Sequence, residues 1–183
     1  MFNVTTKLLL HKHLQLEKGR VMLFNQRSMM VPTAMITNLV KEFEDDYAIE
    51  IYQVCREEGI KWYKNMEKNF GKMSVKKNLD WGTKIITLAG WGEMEIVNVD
   101  HENKTIIIEL KNSGIARFWG KNSKAVDHVF RGMVAGGLSH IFKTDIDGIE
   151  THCLAKGDKV CRFTFKKEFD KTQKIVKEQL GEI

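Results

Sequence analysis

The chain has 183 residues, 43% of them hydrophobic, with one proline, three cysteines and a formal net charge of +5. That length suits a single domain over residues 1–183 with a sizeable core. No apolar run approaches the roughly 20 residues of a membrane span, the N-terminal run is too short for a signal peptide, and the odd cysteine count argues against a secreted disulfide framework, so a cytoplasmic setting is expected. The basic residues are scattered, as at Lys72, Lys76, Lys121 and Lys124, and never alternate with aromatics as in a nucleic-acid groove. No Walker loop, dinucleotide fingerprint or helix-turn-helix pattern occurs.

Residues 7–24 read as two strands, Leu8 to Leu16 and Val21 to Phe24, around the turn Glu17-Lys18-Gly19-Arg20. His11 and His13 share one face of the first strand, a pairing that reads as a polar strand face in the absence of a third ligand. Residues 32–70 are expected to be helical. Met35, Ile36, Leu39, Val40 and Phe43 form one stripe, and Glu44-Asp45-Asp46 marks a break or a change of face. A second stripe then runs through Tyr52, Cys55, Gly59, Trp62, Tyr63, Met66 and Phe70. Cys55 on that stripe is expected to be buried and inert, and Gly71 is a plausible C-cap.

The polar stretch 72–82 reads as loop. Lys84 to Ala89 and Trp91 to Val99 read as strands, and the alternation through Ile106, Ile108 and Leu110 closes an antiparallel hairpin. Residues 112–121 read as an irregular crossing. Ser123 is the expected N-cap of a helix carrying Val126, Val129, Phe130, Met133, Gly137 and Ile141 on one face. Gly132, Gly136 and Gly137 expose backbone on this helix, which implies either very close helix packing or the floor of a pocket. Residues 167–180 read as a final charged helix.

Between the last two helices lies GIETHCLAKGDKVCRFTF, residues 148–165. Turn residues surround Gly157, and Cys153 and Cys161 lie equally far from it, so a hairpin centred there sets the thiols face to face, about 5 Å apart at Cβ. Such a pair suits a shared metal ion, a disulfide or an inert buried pair; the disulfide is disfavoured in the cytoplasm. Glu150 points to the other face of a regular strand and joins the thiols only through a bulge or a strand end.

The pattern Glu150, Cys153, Gly157, Asp158, Cys161, Phe163 resembles the 4-vinyl reductase domain, also described as a hydrocarbon-binding domain. The likeness continues into Gly132-Met133-Val134-Ala135-Gly136 and into Gly19-Arg20. It implies a binding domain for small apolar molecules. In related sensor domains of activators responding to aromatic hydrocarbons, the matching Glu and two Cys bind zinc with a third, upstream Cys. Counted back without a gap, that position is Asp127 here, and its neighbour His128 is chemically the better zinc ligand; His140 and His152 are reserves. The resemblance therefore implies a structural zinc site drawn from Glu150, Cys153, Cys161 and His128 or Asp127.

The expected architecture is α/β (α+β), a twisted antiparallel sheet packed with helices and similar to the fold of TRAPP transport-complex subunits. Gly59, Trp62, Tyr63, Phe130, Met133, Gly136 and Gly137 are the expected ligand-binding residues, with Phe43, Tyr52, Phe118 and Trp119 as further pocket candidates; all are equally compatible with core. The expected function is a small-molecule sensor module for a hydrocarbon, lipid or tetrapyrrole-like ligand. It is expected to act as a homodimer through the long amphipathic helices, and to signal through a separate partner. The alternatives are a reductase or accessory protein acting on a vinyl-bearing tetrapyrrole, and an interaction scaffold.

Overall fold

The structure, a computed structural model, describes residues 14–181. Its frame is a four-stranded antiparallel sheet of two hairpins: β4 (Glu93–Asp100) with β5 (Thr105–Lys111), and β6 (Asp147–His152) with β7 (Cys161–Lys166), in the order β4-β5-β7-β6. In the first hairpin turn the Asp100 carboxylate accepts hydrogen bonds from the amides of Glu102 and Asn103, both at 3.0 Å. The register sets Ile106 opposite Phe165, Ile108 opposite Phe163 and Leu110 opposite Cys161. These six residues form the inner face and are wholly buried. On the outer face Arg162 pairs with Glu109 across the strands.

Helix α4 (His128–Phe142) lies on that inner face, with the Phe130 ring tilted against that of Phe163, centroids 5.0 Å apart. The long helix α1 (Thr33–Phe70) covers the other side of α4. α1 kinks at Tyr47, where φ is −134° and ψ is 19°, directly after the acidic triplet that marked a break in the sequence. The contact between the two helices is backbone to backbone. A Cβ added at Gly136 would lie 1.9 Å from the Arg56 carbonyl oxygen, one at Gly132 2.4 Å from that of Tyr52, and one at Gly59 2.3 Å from that of Met133. Of the two uses open to these glycines, they serve close helix packing.

Several elements differ from expectation. Residues 75–88 form a helix, α2 (Val75–Leu88), capped by Ser74, whose hydroxyl accepts from the amide of Lys77; the expected loop at 72–82 and strand at 84–89 are absent. Leu79, Gly82 and Ile85 are its buried side, and this tertiary burial overrides the local β propensity of the Ile-Ile-Thr run. Residues 114–119 form a short helix, α3 (Gly114–Trp119), capped by Ser113. α4 begins at His128 rather than after Ser123, because the chain runs irregularly while Val126 and Asp127 are drawn into the interior. The last helix, α5, spans only Lys174–Leu180.

At the N-terminal side, β1 (Leu14–Glu17), β2 (Arg20–Leu23) and the unexpected β3 (Gln26–Ser28) form a separate meander. The paired histidines at 11 and 13 lie outside the described residues. Phe24 and Asn25 both take positive φ, 51° and 60°, which makes the β2–β3 connection a two-residue turn of the hairpin type. A phenylalanine holds that conformation because its ring is buried between Trp62 and Phe70, and because its carbonyl accepts from Asn65 and Asn69. Among the described residues no helix is long and apolar enough to cross a membrane.

Candidate metal centre and ligand cavity

The pairing of His152 with Arg162 brings the next residues inward, Cys153 and Cys161, opposite each other, both completely buried. The register shifts between Glu150 and His152, which leaves Thr151 as the extra residue of a β-bulge. That bulge is the device the sequence required: it turns Glu150 to the face of the thiols, where it is 1% exposed. The turn itself is a short 3-10 segment at Leu154–Lys156, closed by Gly157 at φ 97°. Asp158 fastens it by accepting from the Cys153 amide at 2.8 Å, and the Leu154 amide points at the Cys161 sulfur at 3.3 Å.

Asp127 completes the cluster. The ligand atoms of Asp127, Glu150, Cys153 and Cys161 all lie within 4.8 Å of one another, and all four residues are buried. The Asp127 amide donates to Glu150 Oε2 at 3.1 Å, and Asp127 Oδ1 accepts from Ser113 at 2.8 Å. Asp127 Oδ2 and Glu150 Oε1 are left without a hydrogen bond. His128 faces another way, its Nδ1 3.4 Å from the Arg131 guanidinium. His140 contacts Glu67 and His152 contacts Thr151, so the reserve histidines are not in the cluster.

Burial pushes the Asp127 carboxyl up to about 6. It pushes Glu150 well above the carboxylate range, with the charges of Asp127 and Cys153 adding to the effect. The hydrogen bond from the Cys161 thiol holds Cys153 down at about 6, while the same bond and burial raise Cys161. Four acidic groups packed together out of water must hold protons or share a cation. Two thiols, two carboxyls and two orphaned carboxyl oxygens fit a divalent ion such as zinc. A tetrahedral zinc keeps such donors about 3.3–3.8 Å apart, inside the 4.8 Å span of the cluster.

The surroundings hold Glu150 in place. The Gln179 side chain on α5 accepts from the Glu150 amide at 2.7 Å and donates to its carbonyl at 2.9 Å, as a neighbouring strand would. Arg131, 1% exposed, donates to the carbonyls of Gly148 and Gln179 and lies 4.0 Å over the Tyr52 ring. Nothing in the sequence pattern singled out either residue.

A cavity of about 300 Å³ lies between α1, α2, α4 and the sheet. Gly59, Trp62 and Tyr63 of α1 and Met133, Val134 and Leu138 of α4 line it. α2 contributes Leu79, Gly82, Ile85 and Ile86, the sheet side gives Trp91, Met94 and Ile108, and the meander gives Leu23 and Gln26. Of the seven expected ligand residues, four are in this lining. Phe130 is buried on the sheet, Gly136 abuts α1 and Gly137 lies under the Tyr63 ring. Tyr52 and Trp119 belong to the core, while Phe43 and Phe118 are exposed. The α2 wall escaped the sequence reading because its segment reads as loop and strand; the Ser74 cap and the Leu79, Gly82, Ile85 spacing are the signals that mark it.

No family model matches the chain. An uncharacterised protein of Methanocaldococcus jannaschii is 29% identical over 111 residues, covering 58% of this chain and 65% of that protein, so under two-thirds of its length. A vinyl-4-reductase family protein of the same organism, known as a crystal structure, superposes with a TM-score of 0.54 at 21% identity, over 78% of this chain and 85% of that one. The chain resembles the vinyl-4-reductase family. This vinyl-4-reductase-like fold extends to the phenol-responsive sensory domain of the transcription activator PoxR, solved with phenol. There the TM-score is 0.76 at 19% identity, over 97% of this chain and 98% of that one. It extends also to subunit 3 of the trafficking protein particle complex from Naegleria fowleri, solved covalently bound to palmitic acid. That match has a TM-score of 0.58 at 12% identity, over 74% and 93% of the two chains.

Proposed function

We propose that residues 1–183 form one small-molecule sensor domain whose ligand, a small and mainly apolar molecule, occupies the cavity between α1, α2 and α4. The observation that carries this reading is the cavity itself: about 300 Å³, walled mainly by aliphatic and aromatic side chains, with Gln26 and Glu58 as its polar members. The likeness to a phenol-responsive sensory domain supports it. An apolar cavity of about 150 Å³ accepts benzene, so twice that space suits about a dozen non-hydrogen atoms. A tetrapyrrole macrocycle is several times larger, and no nicotinamide or flavin fingerprint accompanies the site, so binding is favoured over reduction.

In this reading Asp127, Glu150, Cys153 and Cys161 hold one zinc ion that ties the start of α4 to the β6–β7 hairpin. The ion's role is structural, since four protein donors leave no open position. The domain pairs with a second copy through α1 and passes its signal to a separate partner in the cytoplasm. The pairing is supported by Met35, Leu39, Phe43 and Tyr47, spaced by four along α1 and 47–56% exposed. The same stripe is what a scaffold reading would use.

Native mass spectrometry of the protein from its own cells, followed by titration with naphthalene, tests the sensor reading. A co-purified small apolar molecule, or naphthalene binding that Ile85→Trp abolishes by filling the cavity, is the expected result. A protein that neither carries nor binds such a molecule refutes it.

A further inference from the structure

Tyr63 sits where α1, α2 and α4 meet. A Cβ at Gly137 would come within 2.4 Å of its ring, and one at Gly82 within 2.2 Å of its hydroxyl oxygen. Two helices thus do without a side chain to seat one phenol ring. Trp62 holds the ring from the side, edge-on, with centroids 5.2 Å apart. Both Tyr63 and Gly82 border the cavity. Among the described residues no hydrogen bond reaches the Tyr63 hydroxyl, and burial alone pushes its pKa up, so it stays a neutral donor and acceptor.

A phenylalanine would fill this seat equally well, and the Tyr63 hydroxyl, which has no partner among the described residues, is not fully enclosed but stands on the cavity wall. Its hydrogen-bonding capacity is therefore free for a molecule that occupies the cavity. We propose that Tyr63 Oη is the specificity-determining contact of the cavity, hydrogen-bonding a single oxygen on an otherwise apolar, uncharged ligand. Among the described residues no Lys, Arg or His lines the cavity, and Glu58, whose side chain is exposed and paired with Lys61, adds a carboxylate to its wall. The ligand class is accordingly an alcohol, phenol, aldehyde or ketone of about a dozen non-hydrogen atoms, and not a carboxylate. This inference rests on the sensor reading above and adds the polar group that selects the ligand.

The test compares 2-naphthol with naphthalene, which share a ring system and differ by one hydroxyl. Affinities for both are measured calorimetrically on wild type, Tyr63→Phe and Gly82→Ala, with melting curves to establish that each variant is folded. In Tyr63→Phe the preference for 2-naphthol over naphthalene falls about fivefold relative to wild type, the contribution of one ordinary hydrogen bond, while naphthalene affinity holds. Gly82→Ala displaces the hydroxyl without removing it, and reduces the same preference while keeping α2 helical. An unchanged preference in folded Tyr63→Phe overturns the assignment of Tyr63 and leaves the cavity reading standing. Wild-type protein that binds neither probe overturns both.

Discussion

Gly136→Ala adds one methyl group where two helix backbones already touch. The new Cβ would lie 1.9 Å from the Arg56 carbonyl oxygen and 2.9 Å from the Ile60 amide nitrogen. An ordinary carbon–oxygen contact needs well over 3 Å, so α4 must retreat from α1 by about an ångström or more. Overpacking of this kind costs about 1–3 kcal/mol, and here the upper end applies because backbone cannot swing aside as a side chain can. The retreat also opens the neighbouring contacts at Gly132 and Gly59. Against this, alanine improves helix propensity by about 1 kcal/mol over glycine. The net expectation is a loss of about 2 kcal/mol, or a fall in Tm of about 4–8 °C for a chain of this size. Thermal and urea unfolding both measure it. Gly59→Ala attacks the same contact from α1, where its Cβ would lie 2.3 Å from the Met133 carbonyl oxygen. One separation of the helices relieves both clashes, so the double variant should lose less than the sum of the singles. A Gly136→Ala protein as stable as wild type, or strictly additive losses, would refute the backbone-contact reading.

Protein purified without added metal should contain about one zinc per chain, and Cys153→Ser or Cys161→Ser should remove it and lower stability; a folded, metal-free wild type would sink the metal assignment. Cys55, half-buried rather than buried as expected, is pushed up to about 11 by desolvation and then by the charge of Glu58, and should react with iodoacetamide at pH 8 roughly a hundredfold more slowly than a free cysteine; reaction at the free rate would contradict that shift. Wild type should sediment as a dimer at micromolar concentration and Leu39→Asp as a monomer; a monomeric wild type removes the proposed α1 interface.

The sheet was readable where period-two patterning met clear turns. Ile106, Ile108 and Leu110 alternate cleanly, and the spacing of Cys153 and Cys161 about Gly157 sets the register that the pairing of His152 with Arg162 shows. Strand parity also stated what Glu150 required, a bulge, although no residue type at Thr151 announces one. α2 stayed hidden because Ile85, Ile86 and Thr87 have strand-like side chains, and only the packing of Leu79 and Ile85 into the interior makes them helical. The start of α4 was misplaced because a good cap at Ser123 competes with a tertiary demand, the burial of Asp127 beside Glu150. Gln179 shows the same limit: a glutamine on a charged segment carries no mark of the strand edge it completes.

The contact at Gly59, Gly132 and Gly136 also sorts the walls of the cavity by stiffness. Where side chains separate two helices, rotamer hops let the pair slide by fractions of an ångström. Where backbones touch, that slack is gone, and α1 with α4 acts as a single strut. α2 meets this strut through the Tyr63 hydroxyl over Gly82, and the meander meets it through the Phe24 ring. Compliance therefore concentrates in α2 and the meander. Amides in the middle of α4 should exchange with solvent only when the whole domain opens, and those of α2 through smaller excursions. If the cavity takes a ligand as proposed, the faster of these openings would set how quickly it enters or leaves, so traffic would be timed by the soft side.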